Sequence, residues 1–202
     1  MWVVKLGGSL YESHYLPRWL QRLATYEGQI VIVPGGGPFA DQVRHAQNRW
    51  RIADACAHAM ALLAMEQFGR LLQGLEPRLC LAASRKDIKQ ALSQQRVPIW
   101  LPAAELLDQP AIPESWEVTS DSLAVWLSGQ LKARRLVLIK QARLSEPVIS
   151  ARALAAQGIV DAAFPHFLHS LTVPCYCITA DDYLQITRTG MANMGTRICP
   201  DK

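Results

Sequence analysis

The chain bends on glycine twice within its first forty residues, at Lys5-Leu6-Gly7-Gly8-Ser9 and at Pro34-Gly35-Gly36-Gly37-Pro38. Each bend follows a short apolar run, Met1-Trp2-Val3-Val4 and Ile30-Val31-Ile32-Val33, and each leads into a segment of helical character. A strand that ends in a glycine turn at the start of a helix leaves backbone N–H groups pointing into open space. That setting favours a phosphate or another anion. Two such turns, with a lysine fixed at the first, point towards phosphoryl transfer.

The rest of the chain repeats the alternation. Apolar runs at residues 3–6, 30–33, 79–82, 97–101, 136–139 and 175–179 are separated by helical windows near residues 15–26, 38–47, 53–69, 86–95, 122–131 and 151–157. The runs are continuous rather than alternating, as expected for strands covered on both faces of a parallel sheet. The expected fold is therefore α/β, a three-layer α/β/α sandwich around a mainly parallel sheet, with ligands at the carboxyl ends of the strands. Residues 109–117, with two prolines and no period, read as a loop approaching a site. The 202 residues are expected to form one domain, with an acceptor-binding half of about 1–110 and a nucleotide-binding half of about 111–202.

Composition excludes several alternatives. Half of the residues are apolar and 19% charged, so a packed core is expected. The net charge of +4 is mild, and the densest basic cluster, Lys132-Ala133-Arg134-Arg135, reads as a helix end complementing its dipole, not a nucleic-acid stripe. The five cysteines show no zinc-ligand spacing and are expected to be reduced. The sequence opens on a strand with no signal-like segment, and no apolar stretch is long enough to cross a bilayer, so a cytoplasmic protein without membrane partners is expected.

Lys5 stands at a strand end immediately before Gly7-Gly8, where an ammonium group can neutralise a transferring phosphoryl group. The order differs from the P-loop, in which lysine follows the glycines. After the second turn, Asp41 and Arg44 share a helical face, and Asp54 and His58 form an i,i+4 pair. Either pair suits an acceptor pocket or an ordinary surface. Thr119-Ser120-Asp121-Ser122 opens a helix and suffices as a cap, yet its aspartate could also hold Lys5 and Lys140, two lysines at strand ends.

In this order the elements resemble the amino acid kinase family, which includes acetylglutamate, aspartate, carbamate and uridylate kinases. The resemblance lies in Val4-Lys5-Leu6-Gly7-Gly8-Ser9-Leu10, Pro34-Gly35-Gly36-Gly37, Thr119-Ser120-Asp121-Ser122-Leu123-Ala124, Leu138-Ile139-Lys140 and a closing Met194-Gly195-Thr196-Arg197-Ile198. Three further segments, from Gly35 to Arg44, from Asp54 to Met60 and from Gly158 to Phe164, resemble the branch that phosphorylates an aminomethylfuran phosphate monoester in C1-carrier cofactor biosynthesis.

The resemblance implies ATP and Mg²⁺ as cofactors, a small anionic substrate and a homodimer. It implies catalytic roles for Lys5, Asp121 and Lys140, and donor-phosphate contacts from Gly7, Gly8, Ser9 and Ser120. Acceptor contacts would come from Gly35, Gly36, Gly37, Asp41, Arg44 and His58, with no protein side chain dedicated to the metal. One departure stands out: after Lys140 the chain reads Gln141-Ala-Arg-Leu-Ser-Glu-Pro147, without the glycine and aspartate of many relatives. A non-catalytic ligand sensor built on the same scaffold, or a kinase with a carboxylate acceptor, is the alternative.

Overall fold

The structure, a computed structural model, describes residues 1–190 and 195–201. Met194, the first residue of the closing motif, lies outside them. The six apolar runs form β1 (Trp2–Leu6), β2 (Ile30–Pro34), β3 (Cys80–Ala82), β4 (Pro98–Trp100), β5 (Arg135–Lys140) and β7 (Cys175–Thr179). Two short strands had no distinct apolar run, β6 (Val148–Ser150) and β8 (Thr196–Cys199), the second matching the closing motif. The eight strands make one sheet in the order β3-β4-β2-β1-β5-β7-β8-β6. All its pairings are parallel except that of β7 with β8.

The helices are α1 (Leu16–Ala24), α2 (Gly37–Trp50), α3 (Asp54–Leu75), α4 (Arg85–Ser93), α5 (Ala103–Leu106), α6 (Ser120–Gln130), α7 (Ala151–Ala156) and α8 (Phe164–His169). The side-chain alternation of β1 divides the core. Val3 points with Val33, Leu138 and Cys177 towards Leu123, Leu127 and Phe164 of α6 and α8. Val4 and Leu6 point the other way, with Ile32 and Ile139, onto Trp19, Leu20 and Leu23 of α1. Helices thus cover both faces, as the continuous apolar runs require. Cys175 and Cys177 are both buried on the α6 side, as their spacing along a strand implies, and all five cysteines are free.

The helix α3 runs past Gly69 to Leu75, longer than its composition suggests. Gly69 is no terminator: a side-chain carbon there would stand 3.2 Å from both Ile99 and Leu101, so the missing side chain lets the helix pack closely on β4.

The central strand β1 lies between β2, which follows it in sequence, and β5, which comes a hundred residues later. The chain therefore fills one side of β1 before crossing to the other, which makes the carboxyl end of β1 a topological switch point. Both glycine turns are there, and they interlock. A side-chain carbon on Gly35 would lie 2.4 Å from the Gly8 nitrogen, and one on Gly8 would lie 2.6 Å from the Gly37 nitrogen. Gly37 itself has φ +54°, a left-handed conformation that glycine adopts at little cost.

Gly35→Ala should therefore lower stability by about 2–3 kcal/mol through overpacking of two backbones. Gly74→Ala, in α3 with open space around it, should raise stability by about 0.5 kcal/mol. Urea unfolding of both variants checks the contrast; equal effects would contradict the interlock.

Candidate active site

Strand register sets the first part of the site. Lys5 lies beside Leu138, so its side chain leaves the sheet on the same face as Leu138 and, two residues on, Lys140. On that face the first turn of α6 presents Asp121. The Lys5 Nζ is 2.9 Å from Asp121 Oδ1, and the Lys140 Nζ donates to Oδ2 at 2.7 Å. Lys5 is 3% exposed and Asp121 4%, so this is a buried cluster with two positive charges against one negative.

Burial pushes the Lys5 pKa down to about 8; Asp121 resists that shift and the Lys140 charge adds to it. For Lys140, burial also disfavours the ammonium form, but contact with Asp121 outweighs it and the pKa is raised. Burial works against the Asp121 carboxylate too, yet the two ammonium groups hold its pKa at about 2. Lys5 is thus the less firmly protonated lysine, and the cluster has an excess positive charge beneath a glycine turn. That is a site prepared for an anion.

The second part is a cavity of about 340 Å³ beside the interlocked turns. Gly8, Ser9, Gly36, Gly37 and Ser120 form one end of its wall. Asp41 and Arg44 from α2 and Asp54 and His58 from α3 form another. The Arg44 guanidinium lies 4.1 Å from the centre of the Trp116 ring, which orients its charge by a cation–π contact. The Trp116 indole N–H donates to Gln47 Oε1 at 2.5 Å, and the Gln47 amide donates to Asp54 Oδ1 at 2.7 Å. His58 is buried, and among the described residues its Nε2 has no hydrogen-bond partner. Burial lowers its pKa, against a smaller opposing effect of Glu114, so the ring is neutral near pH 7 and free to bond a ligand.

Other expected residues do not line this cavity. Gly7 sits under the Ile139 carbonyl, and Gly35 is filled by the Gly8 backbone. Lys5 and Lys140 stand behind the cavity wall, on Asp121. In the departing loop after β5, the Gln141 amide donates to the Ser9 carbonyl at 2.7 Å and steadies the first glycine turn, while Arg143 pairs with Asp181. Among the described residues no group of three or more His, Cys, Asp or Glu side chains is arranged to hold a metal ion.

Sequence reasoning placed Asp161 in the Gly158-to-Phe164 segment of the resemblance but gave it no role; it lies between α7 and α8. Its carboxylate accepts from the Thr119 N–H and hydroxyl, both at 2.9 Å, from the Ser122 N–H at 3.0 Å and from the Ser122 hydroxyl. Thr119 was expected to cap α6, but it makes no side-chain cap bond and donates outward instead. The available signal was Ser122: it occupies the third helical position, where a self-contained capping box has Glu or Gln.

Comparison with known proteins agrees with the fold. A profile of the amino acid kinase family matches residues 1–142. The chain is 31% identical over 140 residues to the [5-(aminomethyl)furan-3-yl]methyl phosphate kinase of Methanocaldococcus jannaschii, a match that spans 68% of this chain and 64% of that protein. The fold is similar to that of uridylate kinase from Archaeoglobus fulgidus, with a TM-score of 0.72, 15% identity and coverage of 98% of this chain and 100% of that one. It is also similar to aspartate kinase from Synechocystis, with a TM-score of 0.73, 13% identity and coverage of 99% and 40%.

Asp121→Asn should leave two buried ammonium groups without their counter-charge and cost about 3–5 kcal/mol near neutral pH. The Lys5 pKa, already below the unfolded value, would then fall further, and Lys140 would lose the contact that raises its own, so the unfolded chain binds more protons and the loss shrinks as pH rises towards 10. Urea unfolding near pH 7 and near pH 9.5 tests this; an equal loss at both values would contradict it.

Proposed function

The chain belongs to the amino acid kinase family, and on that premise we propose that it transfers the γ-phosphoryl group of ATP to a small phosphate monoester, giving a diphosphate. The observation that supports this most is the buried Lys5–Asp121–Lys140 cluster directly behind two interlocked glycine turns. Phosphoryl transfer needs positioning and positive charge more than covalent chemistry. In this reading the Lys5 ammonium neutralises charge on the group in transit, Lys140 assists on the donor side, and Asp121 orients both. The N–H group of Gly8 and the hydroxyls of Ser9 and Ser120 hold donor phosphates, while the Gly7 N–H, which donates to the Ile139 carbonyl at 3.0 Å, fixes the turn that presents them. Mg²⁺ supplies further charge neutralisation when bound, with ligands drawn chiefly from phosphate and water.

The acceptor is placed in the cavity. Gly36, Gly37 and Arg44 suit its phosphate, which is already anionic and needs no general base. The same wall has the carboxylates of Glu12, Asp41 and Asp54 and the aromatic Tyr11 and Trp116. A wall of both signs around an apolar middle fits a molecule with a phosphate at one end and a protonated amine at the other, the chemistry named in the Methanocaldococcus relative. The acceptor half (about 1–110) and nucleotide half (about 111–202) of this reading meet along the cavity, to which Trp116 and Ser120 belong. Among the described residues no helix is long and apolar enough to cross a membrane. A cytoplasmic homodimer completes the reading.

An ADP-release assay over amine-bearing phosphate monoesters, UMP and acidic amino acids tests it. Release is expected with the amine-bearing monoester, and Lys5→Ala should lower its kcat on the order of 10²-fold. Turnover only with UMP or an amino acid would move the acceptor to another class. No release with any acceptor, together with no thermal stabilisation by Mg-ATP, would favour a non-catalytic sensor.

A further inference from the structure

Asp161 lies beyond residue 142, where the family match ends, yet it reaches back to the start of α6. Its two oxygens accept four hydrogen bonds, all from Thr119 and Ser122, the residues on either side of Ser120-Asp121. Three of the four bonds fall on Oδ2 and one on Oδ1, so both oxygens are engaged at the start of α6. It satisfies two of the free N–H groups of the helix terminus and places a negative charge at the positive end of the α6 dipole. The segment that presents it is itself tied down: the Ala163 N–H donates to the Glu117 carbonyl at 2.9 Å, and α8 packs on α6 through Phe164.

These contacts fix more than helix stability. The rotation and height of the first turn of α6 decide where the Asp121 carboxylate falls, and Asp121 must meet two ammonium groups at once, at 2.9 and 2.7 Å. Asp121 alone cannot set its own backbone, because its oxygens are taken by the lysines and Thr119 supplies no cap within its own helix. We infer that Asp161 is a positioning residue for the phosphoryl-transfer centre: by clamping Thr119 and Ser122 it sets where Asp121 holds Lys5 and Lys140. This rests on the kinase reading for its catalytic consequence, though the clamp and the lysine cluster can be read without it. Burial and the nearby Asp121 charge push the Asp161 pKa up, while the Ser122 and Thr119 donors pull it back.

The test follows the Lys5 side chain by NMR of its Cε in ligand-free protein, alongside steady-state kinetics. The groups that face Lys5 are Asp121 from α6, Lys140 from β5 and, more weakly, the Cys177 thiol from β7. Lys5 should titrate near 8 in the wild type. In Asp161→Asn its midpoint should fall by roughly half a unit or more, because Asp121 is held less well against it. Ser122→Ala, which removes one of the four bonds, should move it in the same direction by less. Ser150→Ala, which removes the unrelated cap of α7, should leave it unchanged.

In kinetics, Asp161→Asn should lower kcat roughly tenfold to a hundredfold with little change in acceptor KM, as expected for misplaced catalytic groups. An unchanged Lys5 midpoint in folded Asp161→Asn overturns the proposal, and so does a loss confined to KM. If Asp161→Asn does not fold, an unchanged midpoint in Ser122→Ala overturns it instead. Absence of turnover in the wild type counts against the kinase reading alone, since the midpoint is measured without substrate.

Discussion

One carboxylate between two buried ammonium groups is the constraint around which this fold is arranged. Buried charge is expensive unless paired, and here the pairing is incomplete by one positive charge. The cluster sits at the sheet's switch point, with the buried Val33 and Leu138 beside Lys5 on the neighbouring strands and the interlocked glycine turns next to it. On the proposed function, an anion entering the site would complete the electrostatics. The protein would then hold the lysines at the cost of stability and recover it on binding, the usual relation between a strained site and its ligand.

Three distant parts of the chain have to agree for this to work. The strands β1 and β5 bring the lysines onto one face through their register. The two glycine turns can approach one another because neither has a side chain at the contact, which leaves Gly8 and Gly37 at the cavity and Gly35 behind it. Asp161, about forty residues beyond it in sequence, fixes the start of α6. The departure after Lys140 also finds a place: Gln141 bonds the Ser9 carbonyl, so the loop braces the first glycine turn.

What the sequence disclosed and what it withheld follow from how local each signal is. Lys5 at the end of an apolar run before Gly7-Gly8, and Gly35–Gly37 after Ile30–Val33, are contiguous patterns, and they marked both the parallel sheet and the place of the site. Asp41 with Arg44 and Asp54 with His58 were visible as helical pairs, but only the packing of α2 against α3 turns all four towards one cavity. The strands β6 and β8 are short, and β8 has an exposed arginine in its middle, so neither forms an apolar run. Gly69 reads as a helix end in sequence and as a packing contact in space. The motif around Asp161 gave no sign of what that carboxylate does, because its two partners, Thr119 and Ser122, are about forty residues away.

The central claim is that Lys5 is a buried, weakly held cation waiting for a phosphate. Calorimetry of ADP binding near pH 8.5, in buffers of different ionisation enthalpy, measures it directly through proton uptake. With the Lys5 pKa at about 8 in the free protein, binding should take up roughly half a proton or more as the anion restores the ammonium form, and Lys5→Ala should abolish that uptake. Binding without proton uptake, or uptake that survives the substitution, would contradict it.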